Sequence, residues 1–214
     1  MNNRDDLHLT PTTEQIAEKR FLIMGNPNSG KTALFNRLTG RHHKISNFPG
    51  VTVERRTGYL KNRSIRIDDL PGAYSLKPQG FDEQIVAEIV HGWRQKGVRP
   101  DGIILVVDAT NFSRTMFFAL QVMEWDIPSI LVINMIDEAR DQGVRIDTEK
   151  LQLRLGADAV ICTSAKSGEG IVRMRFGGGL SLLQRALAVG IGIPIGAKQG
   201  LEFGFILREV EHHV

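Results

Sequence analysis

The stretch GNPNSGKTALFNRLTG, Gly25 to Gly40, decides the fold of this chain. Its first eight residues match the pattern GxxxxGK[ST], and the apolar run Phe21–Met24 stands directly before them. Apolar residues then recur at helical spacing as far as Gly40, which is typical of a helix that ends at a glycine. A buried strand, a glycine loop and a helix N-terminus in this order predict an anion-binding loop, because successive backbone N–H groups can curl around a phosphate there.

Two side chains of this loop have predicted tasks of their own. The Lys31 ammonium would neutralise the β- and γ-phosphates of a nucleotide, and the Thr32 hydroxyl would be a ligand of Mg²⁺. A glycine turn without a ligand is the alternative, and the strand and helix that flank the motif argue against it. The predicted nucleotide contacts of the loop are Gly25, Asn26, Pro27, Asn28, Ser29, Gly30, Lys31, Thr32 and Ala33.

Length and composition exclude several classes of protein. The chain has 214 residues, of which 42% are hydrophobic and 24% charged, as in an ordinary soluble globular protein. The net charge of +3 is too small to indicate nucleic-acid binding, and the single cysteine, Cys162, excludes an internal disulfide framework. No apolar run reaches the roughly 20 residues that span a bilayer. We therefore expect a soluble chain, which could still be the soluble part of a longer protein.

Strands and helices alternate along the chain, which predicts an α/β fold with a doubly wound, mostly parallel sheet and helices on both faces. Strands are predicted at Phe21–Met24, Tyr59–Leu60, Ser64–Leu70, Gly102–Val107, Pro128–Ile133 and Ala159–Cys162. Helices are predicted at Lys31–Leu38, Asp82–Lys96, Phe112–Trp125 and Asp147–Leu155, and a loop at 41–50. The expected organisation is an N-terminal extension at 1–19, one domain at 20–170 and a short helical or irregular tail at 171–214.

A second phosphate element is predicted at Asp69-Leu70-Pro71-Gly72, directly after a predicted strand. Ligands of parallel sheets bind beyond the carboxyl ends of the strands, so this position suits a ligand. Asp69 would hold Mg²⁺ through a water molecule, and the Gly72 N–H would face the γ-phosphate. The pattern DxxG is weak by itself, and its place at the end of a strand strengthens it.

Two later loops indicate a guanine base. Asp137 lies shortly after the apolar strand that ends at Ile133, and its carboxylate can accept hydrogen bonds from guanine N1–H and the 2-amino group. Adenine lacks both donors, so a buried carboxylate here would penalise ATP. A helix-capping role for Asp137 is the alternative. The predicted base site consists of Asn134, which braces the phosphate loop, Met135, Asp137, and Ser164, Ala165 and Lys166, with the Ala165 N–H directed at the guanine oxygen.

In this order and spacing the motifs resemble the small GTP-binding proteins over about Arg20 to Gly170. Four stretches narrow the resemblance to the cytoplasmic G domain of the bacterial ferrous iron transporter FeoB, a potassium-dependent GTPase of the TRAFAC class: Gly25–Thr32, Asn47–Glu54, Asp69–Leu76 and Asn134–Ala139. The resemblance implies slow hydrolysis of GTP to GDP, with Mg²⁺ and K⁺ as cofactors. It further implies regulation of iron(II) transport from the cytoplasmic side of the bacterial inner membrane.

The resemblance also implies partners and a switch segment. The expected partner is a membrane-embedded transport domain of the same or a longer protein, an oligomer is compatible with the sequence, and nucleic acid is not expected. Thr52 matches the switch I threonine that becomes ordered on GTP and binds Mg²⁺, with Gly50 and Val51 beside the nucleotide. The predicted catalytic set is Asn28, Lys31, Thr52 and Gly72.

Asn28 is the unusual residue of the phosphate loop. Ala73 stands where Ras-type GTPases place a water-orienting glutamine, so another group must offset the charge that develops between the phosphates. In potassium-activated GTPases an asparagine at this position holds the cation, and carbonyl groups that match Ser46 and Phe48 complete its shell. The alternative is a turn-forming asparagine, since asparagine tolerates a left-handed backbone.

Two other functions remain open from the sequence. One is a GTPase that associates with ribosomal or transfer RNA, although the tail shows neither a basic face nor stacking aromatic residues. The other is a nucleotide-binding switch whose hydrolysis is incidental. Most GTPases have lysine where Met135 stands. Because methionine lacks the positive charge of lysine, we expect weak retention of GDP.

Overall fold

The computed structural model describes residues 18–40, 43–47, 54–60, 65–77, 80–96, 99–125 and 127–171. Within these ranges the strands are β1 (Lys19–Gly25), β2 (His43–Asn47), β3 (Glu54–Tyr59), β4 (Ile65–Asp69), β5 (Gly102–Asp108), β6 (Ser129–Asn134) and β7 (Ala159–Cys162). The helices are α1 (Lys31–Thr39), α2 (Phe81–Lys96), α3 (Phe112–Met123), α4 (Ile136–Asp141) and α5 (Thr148–Leu155), with a short 3₁₀ helix at Ala109–Asn111. None of these helices combines the length and the apolar character that crossing a membrane requires.

The strands form one sheet in the order β2-β3-β4-β1-β5-β6-β7. The pairs from β4 to β7 are parallel, whereas β2 and β3 are antiparallel to their neighbours. The central strand β1 is therefore the point from which the chain first winds to one side and then to the other. Ligands of open α/β sheets bind at this switch point, beyond the carboxyl ends of the strands.

Helices cover both faces of the sheet, as predicted. On one face Leu34, Phe35 and Leu38 of α1 are fully buried against β1, β4 and β5. Burial of such a side chain contributes about 2 kcal/mol, so this stripe fixes α1 and with it the loop at its N-terminus. The other four helices pack on the opposite face, where Val86, Phe118 and the apolar side of β5 belong to one core.

The structure corrects the predicted edge of the sheet. Residues 43–47, predicted as part of a loop, form the edge strand β2, and β3 begins at Glu54 rather than at Tyr59. Both strands are polar and carry no hydrophobic signal; β3 is held by backbone pairing with the buried strand β4, and β2 by backbone pairing with β3. The helix α4 was not predicted, and α3 ends at Met123, two residues early. Residues 1–17 of the predicted extension (1–19) and residues 172–214 of the predicted tail (171–214) lie outside the described residues, and Lys19 is the first residue of β1.

An ion cluster joins the three strands next to the edge. The Asp68 carboxylate is fully buried, and its Oδ2 accepts hydrogen bonds from Arg20 Nε (2.8 Å) and from the terminal nitrogens of Arg55 (2.6 Å) and Arg66 (3.1 Å). Its Oδ1 accepts from the Thr57 hydroxyl at 2.7 Å. Since these partners come from β1, β3 and β4, this Asp68 cluster ties the polar strands to the centre of the sheet.

Candidate functional site

The phosphate loop runs from β1 to α1 in a backbone conformation that few residues adopt. Gly30, which caps α1, has φ 82°, and Asn28 has φ 64°. Asparagine is among the residues that tolerate this left-handed region, so the backbone alone accounts for its presence. The Asn28 side chain is nevertheless exposed and free to meet a ligand.

Internal hydrogen bonds hold the phosphate loop in its folded conformation. The Asn26 carbonyl oxygen accepts from the Ser29 N–H (3.3 Å), the Ser29 hydroxyl (2.9 Å) and Lys31 Nζ (3.3 Å). Burial lowers the pKa of Lys31, while the carboxylates of Asp69 and Asp82 act to raise it. A phosphate group would supply the negative charge that this buried ammonium needs.

Thr32 and Asp69, the predicted Mg²⁺ ligands, lie next to each other beside the loop. The Thr32 hydroxyl donates to Asp69 Oδ2 at 3.4 Å, and the buried Asp69 Oδ1 has no hydrogen-bond partner among the described residues. Burial raises the pKa of Asp69 to about 6, although Lys31 and Arg56 act to lower it. Hard oxygen ligands with an unsatisfied carboxylate fit Mg²⁺, whose charge would stabilise the ionised form.

The segment after β4 packs directly on the phosphate loop. A Cβ atom on Gly72 would lie 2.7 Å from the backbone nitrogen of Pro27, so glycine is needed for this close approach. Leu70 and Pro71 lead into it, and the Leu70 N–H donates to the carbonyl of Ile23. Ala73 is fully buried and donates its N–H to the Gly25 carbonyl at 3.2 Å, so this position supplies no polar side chain to the site.

Asn134 links the phosphate loop to the base site. Its Nδ2 donates to the carbonyl of Ser29 at 3.0 Å, and its Oδ1 accepts from the Thr163 hydroxyl (3.2 Å) and the Ala165 N–H (2.9 Å). The amide is 1% exposed, so each of these bonds lies in a low-dielectric interior where it counts most. Because the Ala165 N–H already has an acceptor, a guanine oxygen would have to share it.

Asp137 lies in the first turn of α4 and is partly exposed rather than buried. Although burial acts to raise the pKa of Asp137, the Ser164 hydroxyl and the backbone N–H groups of Asp137 and Glu138 hold it below its usual value. An ionised carboxylate at a helix N-terminus can accept two donors from a ligand. Its predicted contacts with guanine are chemically available in this geometry.

Met135 brings the base site close to the phosphate loop. It has φ 62°, a left-handed conformation that is rare for methionine, and it stands directly before α4. Its terminal methyl group lies 3.8 Å from where a Cβ atom on Gly30 would be. An unusual backbone conformation at this point is consistent with a functional site.

The remaining predicted residues are not all brought together. Ala33 and Lys166 lie at the rim, exposed, whereas Ser164 is buried with its N–H bonded to the Glu169 carbonyl. Ser46 lies in β2, which is three strand positions from β1, roughly 14 Å across the sheet at the usual spacing. Predicted contacts at Phe48, Gly50, Val51 and Thr52 fall outside the described residues.

Sequence analysis missed one residue that touches the base loop. Arg37 of α1 donates Nε to the Ala165 carbonyl at 3.0 Å and a terminal nitrogen to the Lys166 carbonyl. These contacts join positions far apart in the chain, and an arginine on the polar side of a helix gives no signal of such a role.

Comparisons with known proteins agree with this geometry. The model of the family described as ferrous iron transport protein B matches residues 19–176. The Fe(2+) transporter FeoB of Leptospira biflexa is 40% identical over 162 residues, which are 75% of this chain and 23% of that protein. The corresponding protein of Salmonella typhimurium is 41% identical over 159 residues, 72% of this chain and 20% of that protein. The chain thus spans about a fifth of the length of these curated relatives.

Solved structures give the same result. A mutant of S. thermophilus NFeoB bound to mGDP superposes with a TM-score of 0.70 at 35% identity, covering 83% of this chain and 64% of that chain. The cytosolic domain of the T. maritima FeoB iron transporter in apo form gives 0.67 at 34% identity, covering 82% and 65%. The fold is therefore that of a P-loop GTPase G domain. By the family match and these identities, the chain belongs to the ferrous iron transport protein B family.

Proposed function

We propose that this chain binds and hydrolyses GTP and thereby regulates ferrous iron transport from the cytoplasmic side of the bacterial inner membrane. The observation that carries the proposal is the pair of bonds from the Asn134 amide, one to the phosphate loop and one to the base loop. These bonds join the loop that would bind the phosphates to the loop that would meet the base, so a single nucleotide could span both. The S. thermophilus relatives of known structure include forms bound to GDP and to GMPPNP.

Each residue of the proposed site has a separate role in phosphoryl transfer. Lys31 binds the outer phosphates, and Thr32 and Asp69 hold Mg²⁺, which offsets charge on the phosphate oxygens. Backbone groups at Thr52 and Gly72 position the attacking water. Because Ala73 is buried and apolar, no side chain of that position orients water, and slow hydrolysis follows.

In this proposal Asn28 would hold a K⁺ ion, and the carbonyl groups of Ser46 and Phe48 would be its other protein ligands. The cation supplies the charge that an arginine finger brings in other GTPases. Support comes from the exposed amide of Asn28 beside the phosphate loop. The domain boundaries proposed with it are an extension at 1–19, the G domain at 20–170 and a tail at 171–214.

The first test is GTP turnover with Mg²⁺ in KCl and in NaCl at equal ionic strength. We expect K⁺ to accelerate hydrolysis and Asn28→Ala to remove that acceleration, a loss of about tenfold or more, below the 10³–10⁵ of an arginine finger. Asn28→Gly is the matched control, because glycine adopts the φ of 64° without strain and also lacks the amide. If Asn28→Gly keeps the full K⁺ response, the residue serves the turn and not the cation.

A second test concerns GDP release. Met135→Lys retains the left-handed backbone and restores a positive charge next to the phosphate loop, so we expect slower dissociation of a fluorescent GDP analogue. A charge-assisted contact of this kind is worth about 1.5 kcal/mol, or roughly tenfold in rate. Wild-type dissociation that takes minutes would contradict the idea that Met135 weakens retention.

The RNA-associated GTPase left open by the sequence is the weaker proposal. The family match and the relatives of known structure point to iron transporters. No observation on the described residues favours RNA.

A further inference from the structure

We propose that Arg37 is a positioning residue for the base-specifying loop, and that it couples this loop to the helix that carries the phosphate site. The inference rests on the proposed function, since it concerns how the same site selects guanine. Arg37 lies on α1, whose first residues are Lys31 and Thr32. A side chain fixed to α1 therefore moves with the phosphate-binding groups.

The guanidinium of Arg37 reaches across to two consecutive carbonyl groups. Its Nε donates to the Ala165 oxygen at 3.0 Å and a second nitrogen donates to the Lys166 oxygen. The planar fork of arginine suits two neighbouring acceptors, whereas a lysine ammonium could serve both only as a point charge. Gly168 leaves the room for it, because a Cβ atom there would lie 3.2 Å from the third guanidinium nitrogen.

Arg37 and Asn134 hold Ala165 from its two ends. Asn134 Oδ1 accepts the Ala165 N–H at 2.9 Å, and Arg37 binds the Ala165 carbonyl. The loop is also closed on itself, since the Gly168 N–H donates to the Ser164 carbonyl at 2.8 Å. The backbone that would meet the base is thus fixed from below by α1 and from the sheet by β6. Preorganised backbone of this kind raises affinity by lowering the cost of ordering.

A second arginine near this loop provides the contrast. Arg140 donates to the Glu169 carboxylate at 2.8 Å, but both side chains are exposed, 61% and 45%. Arg37 is also exposed, so the two arginines differ in their acceptors and not in burial: Arg140 binds a side-chain carboxylate, whereas Arg37 binds two carbonyl groups of the base loop. Arg140→Ala is therefore the matched control for Arg37→Ala, with the same change of charge beside the same loop.

The experiment measures dissociation constants of GDP and ADP for the wild type, Arg37→Ala, Arg37→Lys and Arg140→Ala. We expect Arg37→Ala to weaken GDP binding about fivefold to tenfold, to leave the weak binding of ADP unchanged, and so to lower the GDP-to-ADP selectivity by the same factor. Arg37→Lys should fall between, and Arg140→Ala should match the wild type.

Each other outcome overturns the inference in a distinct way. Equal losses for GDP and ADP would assign Arg37 to the stability of α1 or of the phosphate loop, and thermal unfolding without nucleotide would report the former. Unchanged GDP binding in both alanine variants would remove Arg37 from the base site. A wild-type protein without preference for GDP would instead refute the proposed function itself, and the inference with it.

Discussion

Gly30→Ala is expected to abolish tight nucleotide binding while the sheet remains folded. A Cβ atom at this position would lie 2.1 Å from Nδ2 of Asn134, well inside van der Waals contact. The flexible end of Asn134 has to move away, and its bond to the Ser29 carbonyl breaks. Since that amide connects the phosphate loop to the base site, both halves of the site lose their mutual position.

The size of the effect combines two costs. An alanine with φ of 82° pays about 1 kcal/mol for the left-handed backbone. An unsatisfied buried carbonyl or amide costs about 1–3 kcal/mol more, so we expect GDP affinity to fall on the order of 100-fold. Titration with a fluorescent GDP analogue and far-UV circular dichroism on the same sample measure binding and fold.

Gly143→Ala is the matched control for this variant. Gly143 has φ 81°, nearly the value of Gly30, but nothing lies within 4 Å of its Cβ position. The Gly143→Ala variant has the same backbone strain, but its Cβ atom does not touch Asn134. GDP binding should therefore stay at the wild-type level. Equal affinities of the Gly30 and Gly143 variants would show that the collision with Asn134 is harmless.

Asp69→Asn is expected to act in opposite directions on stability and on metal binding. In the nucleotide-free protein burial raises the pKa of Asp69 from 3.8 to about 6. The folded state then binds this proton more tightly than the unfolded state. Stability therefore falls as pH rises from about 4 to 6, and the cost stays constant above that window.

The asparagine variant lacks this titration. The shift corresponds to a ceiling of about 3 kcal/mol, and the gain should be smaller because Lys31 loses the carboxylate that attracts it. We expect the free energy of unfolding of Asp69→Asn, relative to wild type, to increase between pH 4.5 and pH 7 in urea denaturation. At pH 7.5 its Mg²⁺-dependent GTP affinity should drop about 10–100-fold, as for the loss of an outer-shell partner of a metal.

Asp68→Asn distinguishes a metal-site effect from a general effect of charge. Asp68 is also buried, but it is the acceptor for three arginines, so its neutral variant should be less stable than wild type. Magnesium-dependent binding should change little, because Asp68 belongs to the other face of β4. A stabilised Asp68→Asn, or a pH-independent difference between Asp69→Asn and wild type, would contradict this account.

The sequence was sufficient to predict an element where burial requires an apolar run or where a motif marks the element. The apolar runs of β1, β5, β6 and β7 were predicted because both faces of these strands are covered. Strand β2 was missed because four of its five residues are exposed, and it is held by backbone pairing with β3 and by a ring contact between His43 and Phe35. The helix α4 has six residues and starts from a left-handed Met135, so no helical period could reveal it.

The same limit applies to the site. The residues proposed to serve the nucleotide, such as Lys31, Asp69 and Asn134, follow from their motifs. The contacts among them do not. The Ala165 N–H is bonded to Asn134, and Arg37 lies beneath the loop. Both contacts depend on how other elements of the fold approach the end of β7. The first contact joins residues 31 positions apart and the second residues 128 positions apart, and neither spacing follows a helical or strand period.

Consecutive side chains of a strand point to opposite faces, so Asp68 and Asp69 are directed to different surroundings on one short strand. If β4 slipped by one residue, Asp69 would turn toward the arginines and Asp68 toward the phosphate loop. Three donors on the neighbouring strands β1 and β3, namely Arg20, Arg55 and Thr57, face a carboxylate of β4 on one face only. The Asp68 cluster therefore stabilises the observed register of β4 over the slipped one. As a result Asp69, and not Asp68, faces the predicted Mg²⁺ site.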